Sequence, residues 1–483
     1  MRLVLAHERR APVIASAAGF GALAILATTV AAPRLPLLQV VPVVALMAIA
    51  MFTHRTLFAW RALLPFLLLT ILFIPIRRYA FPGNLPFELE PYRLVVVFIG
   101  LGWLASLLVD RRVRARLTGF EGPLLLLLAA AIGSIVVNPS HVTAIQGDIV
   151  KRLTFFLSFL LIAYVIVSLV KTLAFADILV KTLVVGGTIV AAFSMLEART
   201  GYNIFNHLSS VIPILQVAEL PEVPGRGARL RVYASAQHPI ALGAVLVTLV
   251  PLAAYLVRRT MRRRWMICVG LLTIGATATV SRTAILMLVV VGVMYVWLRP
   301  REMRRMWPAL VPVLLVVHLL LPGTLGSLKG AFLPAGGLVA EQQTNAGWVG
   351  SGRLADVAPS LREFKARPFL GQGYGTRVAE NQGGNAKILD NQWLSTLLET
   401  GAVGVFAWLW LFFRSVGRFG RAAKRDYSDR GWLLAAIASS IAAFAVGMFT
   451  YDAFAFIQAT FVLFVLVALG AAVFRMDPEH ATG

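Results

Sequence analysis

Three arginines stand close together in one polar segment of the chain. Arg226, Arg229 and Arg231 precede an apolar run that begins at Pro239, within the stretch GRGARLRVYASAQHP. A guanidinium group offers paired donors that match phosphate oxygens, and the start of a helix adds a positive dipole end. The cluster, with His238 beside it, therefore indicates a binding site for phosphate or diphosphate. Contact with lipid headgroups is the alternative explanation for these arginines.

A fourth arginine lies where two apolar runs meet. Arg282 follows Ser281 in the stretch TVSRTA, and almost no connection separates the runs on either side. An arginine at this depth is costly to place unless it faces a cavity or an anion. We therefore favour a functional role for Arg282. The alternative is that its side chain snorkels to the lipid headgroups.

Carboxylates mark the start of a later apolar run, LDNQWLSTLLETGAVGVFAW. Asp390 and Asn391 stand at its mouth, and Glu399 lies about two turns inside it. A positioned carboxylate can act as a general base, although an aspartate at a helix start is often only its N-cap. Glu399 indicates function at that depth, or else a protonated group hydrogen-bonded to a neighbouring helix. Asp452, in the last polar turn, is assigned no role.

The segment before these carboxylates combines an arginine, an amphipathic stretch and a glycine-rich turn. Arg353 ends GWVGSGR, and apolar residues then recur at helical spacing from Leu354 to Phe364. Pro359 predicts a kink or a late start of that helix, which we expect to lie along a membrane surface. The turn RPFLGQGYGT, which contains Tyr374, permits close approach of a ligand. Arg353 and Tyr374 are candidate substrate contacts.

The elements that position these residues follow from the composition. Of 483 residues, 59% are hydrophobic and 14% are charged, and the mean hydropathy is +0.80. A soluble chain is roughly 45–50% apolar and about 25% charged, so a soluble globular enzyme, a disordered chain and a disulfide scaffold are excluded. A helix that crosses about 30 Å of hydrocarbon needs roughly 20 apolar residues. The sequence therefore predicts an all-α, polytopic membrane protein.

Apolar runs near that length recur along the whole chain, although several are short. They predict 12–14 transmembrane helices in a single membrane domain, residues 1–483, with polar loops at 197–238 and 322–391. The fourteen runs are Val13–Val30, Leu35–Phe52, Leu57–Ile76, Leu94–Val109, Pro123–Val137, Leu153–Val170, Ile178–Leu196, Pro239–Val257, Trp265–Val280, Thr283–Leu298, Trp307–Leu321, Leu394–Phe413, Trp432–Phe449 and Ala455–Val473.

The formal net charge of +23 has an explanation in topology. Lys and Arg concentrate in alternate connections between the runs, which places both termini in the cytoplasm and both long loops outside it. This asymmetry accounts for most of the basic charge, so we expect no nucleic acid partner. The outer loops contain no Asp-x-Asp motif and no usual cluster of metal ligands, and the single cysteine, Cys268, lies in an apolar run. We expect no metal and no other cofactor.

Several of these motifs, in this order, resemble the O-antigen ligase and polysaccharide polymerase superfamily of membrane glycosyltransferases. The matching pieces are the arginine cluster with QHPIALG, the TVSRTA junction, the SGR and PFLGQGYGT sequences of a large loop, and DNQWLSTLLETGAVG. The resemblance covers roughly residues 225–413. It implies a GT-C-like membrane fold with a large extracytoplasmic loop that contains an amphipathic helix.

The resemblance also implies a reaction and roles for individual residues. The donor would be a glycan on undecaprenyl diphosphate at the outer leaflet of the inner (cytoplasmic) membrane, and the acceptor a hydroxyl of a glycan or lipid. Transfer would be inverting and metal-independent. Arg231 and Arg282 match the essential arginines of the family and would hold the diphosphate, and Arg353 matches its loop arginine. Asp390 stands where ligases carry a histidine.

That departure at Asp390 favours a polymerase over a ligase. Arg226, Arg229, His238, Tyr374, Asn391 and Glu399 complete the set of candidate substrate contacts. His238 is also an alternative base, although a structural role suits it better. A transporter or flippase of lipid-linked sugars and a non-catalytic assembly component are the other hypotheses. The concentration of polar residues in two loops, rather than at mid-membrane, argues against the transporter.

Overall fold

Apolar runs become helices throughout the described part of the chain. The structure, a computed structural model, describes residues 59–82, 89–110, 113–143, 145–218, 231–306, 357–377 and 389–476. Within these residues, seven helices are long and apolar enough to cross a membrane, and three shorter helices are also apolar. The chain is therefore an all-α polytopic membrane protein, as the sequence predicts.

The described elements comprise fifteen helices, two short strands and two single 3₁₀ turns. In chain order they are α1 (Trp60–Phe73), β1 (Tyr79–Ala80), α2 (Pro91–Val109), α3 (Glu121–Val137), α4 (Pro139–Thr143), α5 (Gln146–Leu169), α6 (Leu173–Thr200), a 3₁₀ turn (Ile204–Asn206), α7 (Leu208–Val211), β2 (Gln216–Val217), α8 (Pro239–Thr260), α9 (Arg263–Ala278), α10 (Arg282–Leu298), α11 (Pro300–Met306), α12 (Val357–Ala366), α13 (Gln392–Arg425), α14 (Asp429–Gly447), a 3₁₀ turn (Ala453–Ala455) and α15 (Ile457–Phe474).

The predicted runs and the helices agree closely. Every predicted run that falls mainly within the described residues coincides with one of the helices α1–α3, α5, α6, α8–α10 and α13–α15. Three predicted runs, Val13–Val30, Leu35–Phe52 and Trp307–Leu321, lie outside the described residues. The boundaries differ most at α13, which continues past Phe413 to Arg425 because its second half becomes a basic amphipathic helix.

Two helices form the centre of the bundle. α8 packs against α6, α9, α10 and α14, while α15 packs against α5 and α14. Almost every side chain of α8 and α15 is buried, as expected for helices that are apolar on all sides. By contrast, α2 exposes apolar side chains such as Val97 and Leu101. Exposed apolar side chains on a helix of this length are typical of a surface that faces lipid.

The amphipathic stretch forms the short helix α12, with Pro359 in its first turn, where proline is tolerated. Val357 and Phe364 pack against Leu394 and Leu398 of α13. Leu361, which belongs to the same predicted stripe, is exposed. An ion pair between Glu363 and Arg377 ties α12 to the glycine-rich turn.

The end of the bundle formed by residues 258–264, 299–306 and 414–431 is rich in arginine. Arg259 pairs with Asp177 at 3.2 Å and with Asp429, and so joins α6, α8 and α14. Arg430 pairs with Asp426 at 2.9 Å. We call this the basic end; the described segments that carry predicted site residues lie at the opposite end.

Candidate active site

The short turn between α14 and α15 is the point at which the predicted site segments meet. The backbone N–H of Gln392 donates to the carbonyl oxygens of Met448 at 2.9 Å and Tyr451 at 3.1 Å. In return, the side-chain oxygen of Gln392 accepts a hydrogen bond from the backbone N–H of Phe454 at 2.8 Å. The segment that begins α13, with Asp390 and Asn391, is therefore fixed against residues 448–456, which we call the hub turn.

The TVSRTA junction contacts the same turn. The hydroxyl groups of Thr283 and Thr450 are hydrogen-bonded at 2.8 Å. The start of α8 packs tightly on this junction, since a Cβ atom built on Gly243 would lie 2.9 Å from Cβ of Ala284 and 3.0 Å from Oγ1 of Thr279. Only glycine permits that approach, which explains why QHPIALG ends in Gly243.

The loop that precedes α8 reaches the hub turn through stacked rings. The His238 imidazole stacks on the ring of Phe456, with ring centres 5.5 Å apart. Tyr451 stacks on the same Phe456 ring, with ring centres 6.0 Å apart. Nδ1 of His238 accepts a hydrogen bond from the backbone N–H of Ile240 at 3.2 Å and caps α8. His238 thus has a structural role, and its contact with substrate stays a prediction.

A buried arginine shapes the segment that follows Arg231. The guanidinium of Arg78 donates to the carbonyl oxygens of Ala234 at 3.1 Å and Ala236 at 2.7 Å. Glu197, at the end of α6, accepts a 2.8 Å hydrogen bond from the backbone N–H of Ala234. Burial lowers the pKa of Arg78 to about 10, although nearby Tyr233 and Glu197 oppose this shift. These contacts position the residues between Arg231 and α8.

A cleft opens beside the hub turn, between α3, α5, α13 and α15. Polar and aromatic residues both line it, and Phe454 of the hub turn lies against Trp408 of α13 with ring centres 4.6 Å apart. The polar and charged residues include Arg77, Arg152, Tyr374, Gln392, Glu399 and Asp452, and the aromatic residues include Phe155, Phe156, Phe159, Trp408, Phe454 and Phe464. This arrangement suits a ligand with a polar head and an apolar tail.

An ion pair stands at the polar part of the cleft. Nη1 of Arg152 on α5 lies 3.2 Å from Oε1 of Glu399 on α13, and the Glu399 side chain is almost fully buried. The other terminal nitrogen of Arg152 donates to the carbonyl oxygen of Arg377 at 3.0 Å. The sequence predicted a functional or a protonated Glu399; the structure gives it a cationic partner that no sequence motif indicates.

The glycine-rich turn fills a break in α13. Gly401 has a φ of +68° and interrupts the helix directly after Glu399 and Thr400. The backbone N–H groups of Gln372 and Gly373 donate to the carbonyl oxygens of Leu398 at 2.8 Å and Glu399 at 3.2 Å. A broken helix is tolerated within a membrane protein only where such backbone groups find other partners. The turn therefore allows the break, and the break helps to set the direction of the Glu399 side chain.

Two groups outside the helices have pKa values shifted by this environment. Burial raises the pKa of Asp452 in the hub turn to about 7; Arg152 opposes the rise, while Glu399 and Asp390 add to it. Burial also raises the pKa of the Tyr374 phenol, and the charge of Glu399 acts in the same direction. A carboxyl group with a pKa near 7 can exchange a proton near neutral pH.

The predicted site residues that the structure describes lie on segments that reach the hub turn or line the cleft. Arg282 begins α10 and Arg231 lies ahead of α8, and the Nε atom of each guanidinium is buried. Asp390 is exposed beside the hub turn, and the Asn391 side chain caps α13 by accepting from two backbone N–H groups. Tyr374 and Glu399 line the cleft. Arg226, Arg229 and Arg353 lie outside the described residues.

Sequence reasoning missed three charged residues of the cleft, Arg77, Arg152 and Asp452. Asp452 is the only one of them for which a signal existed, since a carboxylate in a short turn between two apolar runs stands next to the membrane. Among the described residues, no group of three or more His, Cys, Asp or Glu side chains is placed to hold a metal ion.

The fold and this cleft define a polytopic helical membrane protein with a polar site at one end of its bundle. Residues 267–409 match the family described as O-Antigen ligase. The matched segment includes the TVSRTA junction, the glycine-rich turn and the start of α13, so the predicted resemblance is confirmed. No curated protein matches the chain. The family match supports a membrane glycosyltransferase activity of the ligase or polymerase type, which acts on lipid-linked glycans.

Proposed function

We propose that the protein lengthens or attaches glycans at the extracytoplasmic face of the cytoplasmic membrane, with an undecaprenyl-diphosphate-linked glycan as donor. The observation that carries this proposal is the meeting of three segments at the hub turn. The segments that bear Arg282 and Asp390 contact it one or two residues away from those side chains, and the segment that follows Arg231 reaches it through His238. A site for anions and a site for an acceptor hydroxyl then adjoin one another at the edge of the membrane.

The orientation follows from the charge at the two ends of the bundle. The basic end collects Arg and Lys from the segments 258–264, 299–306 and 414–431. Such residues remain on the cytoplasmic side of a membrane protein. The hub turn then faces outward, and both termini lie in the cytoplasm.

The residues supply the chemistry that such a transfer needs. Diphosphate is a good leaving group, and negative charge grows on its oxygens in the transition state. Arg231 and Arg282 would stabilise that charge from fixed positions near a low-dielectric boundary, with Arg226, Arg229 and Arg353 as further contacts. No metal ion is needed for this role. Asp390, exposed beside the hub turn, would steer the acceptor hydroxyl toward the sugar.

We favour a polymerase, which adds to a lipid-linked glycan, over a ligase. The reason is Asp390, which occupies the position where ligases carry a histidine. Tyr374 and Glu399 in the cleft, and Asn391 and His238 next to the hub turn, would contact the donor or acceptor. The apolar part of the cleft, lined by aromatic rings, would accommodate the first units of a polyprenyl chain.

A transporter of lipid-linked sugars is the second candidate. The break in α13 at Gly401 favours it, because interrupted helices are common at the binding sites of transporters. In this chain, however, the glycine-rich turn occupies the break and bonds the freed carbonyl groups.

Purified protein in lipid nanodiscs separates the two functions. With synthetic undecaprenyl-diphosphate oligosaccharide as the only substrate, we expect longer glycans and free undecaprenyl diphosphate, at the same rate with and without a chelator. Transfer only to an added separate acceptor would identify a ligase. An unchanged donor, together with movement of donor across the bilayer in vesicles, would identify a transporter and refute the proposal.

A further inference from the structure

We propose that Asp452 is a further catalytic residue, the group that takes the proton from the acceptor hydroxyl. This inference rests on the glycosyl transfer proposed above and assigns one of its steps to a residue of the hub turn.

The position of Asp452 is fixed from both sides. Thr450, two residues before it, is bonded to Thr283 next to Arg282. Phe454, two residues after it, donates its backbone N–H to Gln392 at the start of α13. The Asp452 carboxylate therefore stands between the junction that carries a predicted diphosphate ligand and the cleft that it lines.

Charged groups from several elements act on Asp452. They are Arg152 on α5, Glu399 on α13 and Asp390 before α13, while Tyr374 and Arg77 line the same cleft. Arg152 is already bonded to Glu399 and to the carbonyl oxygen of Arg377. Its guanidinium is thereby held in place, so it attracts Asp452 without needing to move when a substrate binds.

The two negative neighbours offset this attraction. Burial, with Glu399 and Asp390, raises the pKa of Asp452 to about 7. A base works best when its pKa is near the working pH, because it is then both largely deprotonated and basic enough to take a proton. Asp390 differs in being exposed to solvent, which suits the guiding of an incoming acceptor rather than removal of its proton.

The step balances as a single displacement. The acceptor oxygen forms a bond to the anomeric carbon of the donor glycan while its proton passes to a carboxylate oxygen of Asp452. The bond between the anomeric carbon and the phosphate oxygen breaks, and its electron pair leaves with undecaprenyl diphosphate. Solvent then removes the proton from Asp452 before the next turnover.

The test compares Asp452→Asn with Asp148→Asn in the nanodisc assay. Asp148 is an exposed carboxylate one turn before Arg152 on α5, so its replacement makes the same change in charge near the cleft. We expect Asp452→Asn to lower kcat by about 10²–10⁴-fold, with unchanged binding of undecaprenyl diphosphate. Asp148→Asn should keep the wild-type rate.

The pH profile supplies the readout that a merely structural role would not change. The base must be deprotonated, so the wild-type rate should be half its maximum near pH 7, level off about one pH unit higher and fall tenfold per pH unit well below about pH 7. The residual rate of Asp452→Asn should lack this fall. If Asp452→Asn does not fold, the pH profile of Asp452→Glu provides the test. A carboxyl group on a longer side chain should have a different pKa and so shift the midpoint of the profile.

The outcomes separate this inference from the proposed function. If the wild type is active and Asp452→Asn keeps the full rate, Asp452 is not the base, although glycosyl transfer still stands. The same conclusion follows if the pH profile of Asp452→Glu has the midpoint of the wild type. A wild type that extends no glycan refutes the transfer itself.

Discussion

Replacement of Arg282 by alanine is expected to lower the rate of glycan transfer by about 10²–10³-fold. Arg282 begins α10, and the next residue, Thr283, is hydrogen-bonded to the hub turn. A guanidinium held there would stabilise charge that appears on the leaving diphosphate only in the transition state. The loss should therefore fall on kcat more than on the apparent affinity for the donor. Steady-state kinetics with the synthetic donor measure both.

Arg362→Ala is the matched control for this effect. Arg362 lies on α12 with an exposed side chain, and its loss makes the same change in net charge. Its rate should stay within about twofold of wild type, since an isolated surface charge has little effect. Equal rates for the two variants would exclude Arg282 from the reaction.

Replacement of Gly401 by alanine is expected to destabilise the protein strongly. The residue has a φ of +68°, and a Cβ built on it would lie 2.2 Å from the carbonyl oxygen of Phe369. The backbone of the glycine-rich turn would have to move away, which frees the carbonyl groups of Leu398 and Glu399. We expect a loss of about 3 kcal/mol or more in the free energy of unfolding, together with loss of activity.

Gly417→Ala provides the control within the same helix. A Cβ at Gly417 meets no atom within 4 Å, and its backbone is helical. Alanine there should stabilise α13 by up to about 1 kcal/mol. Unfolding in mixed micelles, followed by tryptophan fluorescence, compares the two variants. A Gly401→Ala protein as stable as wild type would contradict the role given to the break.

The helices were predictable because each depends on local composition. Runs such as Pro239–Val257 and Ala455–Val473 must form helices in a membrane, where backbone groups have no water to bond. The break at Gly401 was not predictable in the same way. Apart from Glu399 and the small polar residues near it, the run Leu394–Phe413 forms one apolar segment in the sequence, and its interruption depends on a turn about thirty residues earlier in the chain.

The site residues likewise separate into those that local sequence could predict and those that depend on distant contacts. Arg231, Arg282 and Asp390 could be singled out because each is a charged residue placed where charge is costly or at a helix mouth. Arg152 lies within a long helix, and only its contact with Glu399 in the structure indicates a functional role for it. Asp452 looked unimportant because the groups that surround it come from α5, α13 and the glycine-rich turn, which are far apart in sequence.

Binding of undecaprenyl diphosphate by purified protein tests most directly the claim that Arg231 and Arg282 hold one diphosphate. We expect the double variant Arg231→Ala/Arg282→Ala to bind it at least about tenfold more weakly than wild type, since charge-assisted hydrogen bonds contribute about 1.5–3 kcal/mol each. Binding of undecaprenyl monophosphate should weaken much less. Equal affinity of wild type and double variant for the diphosphate would contradict the account.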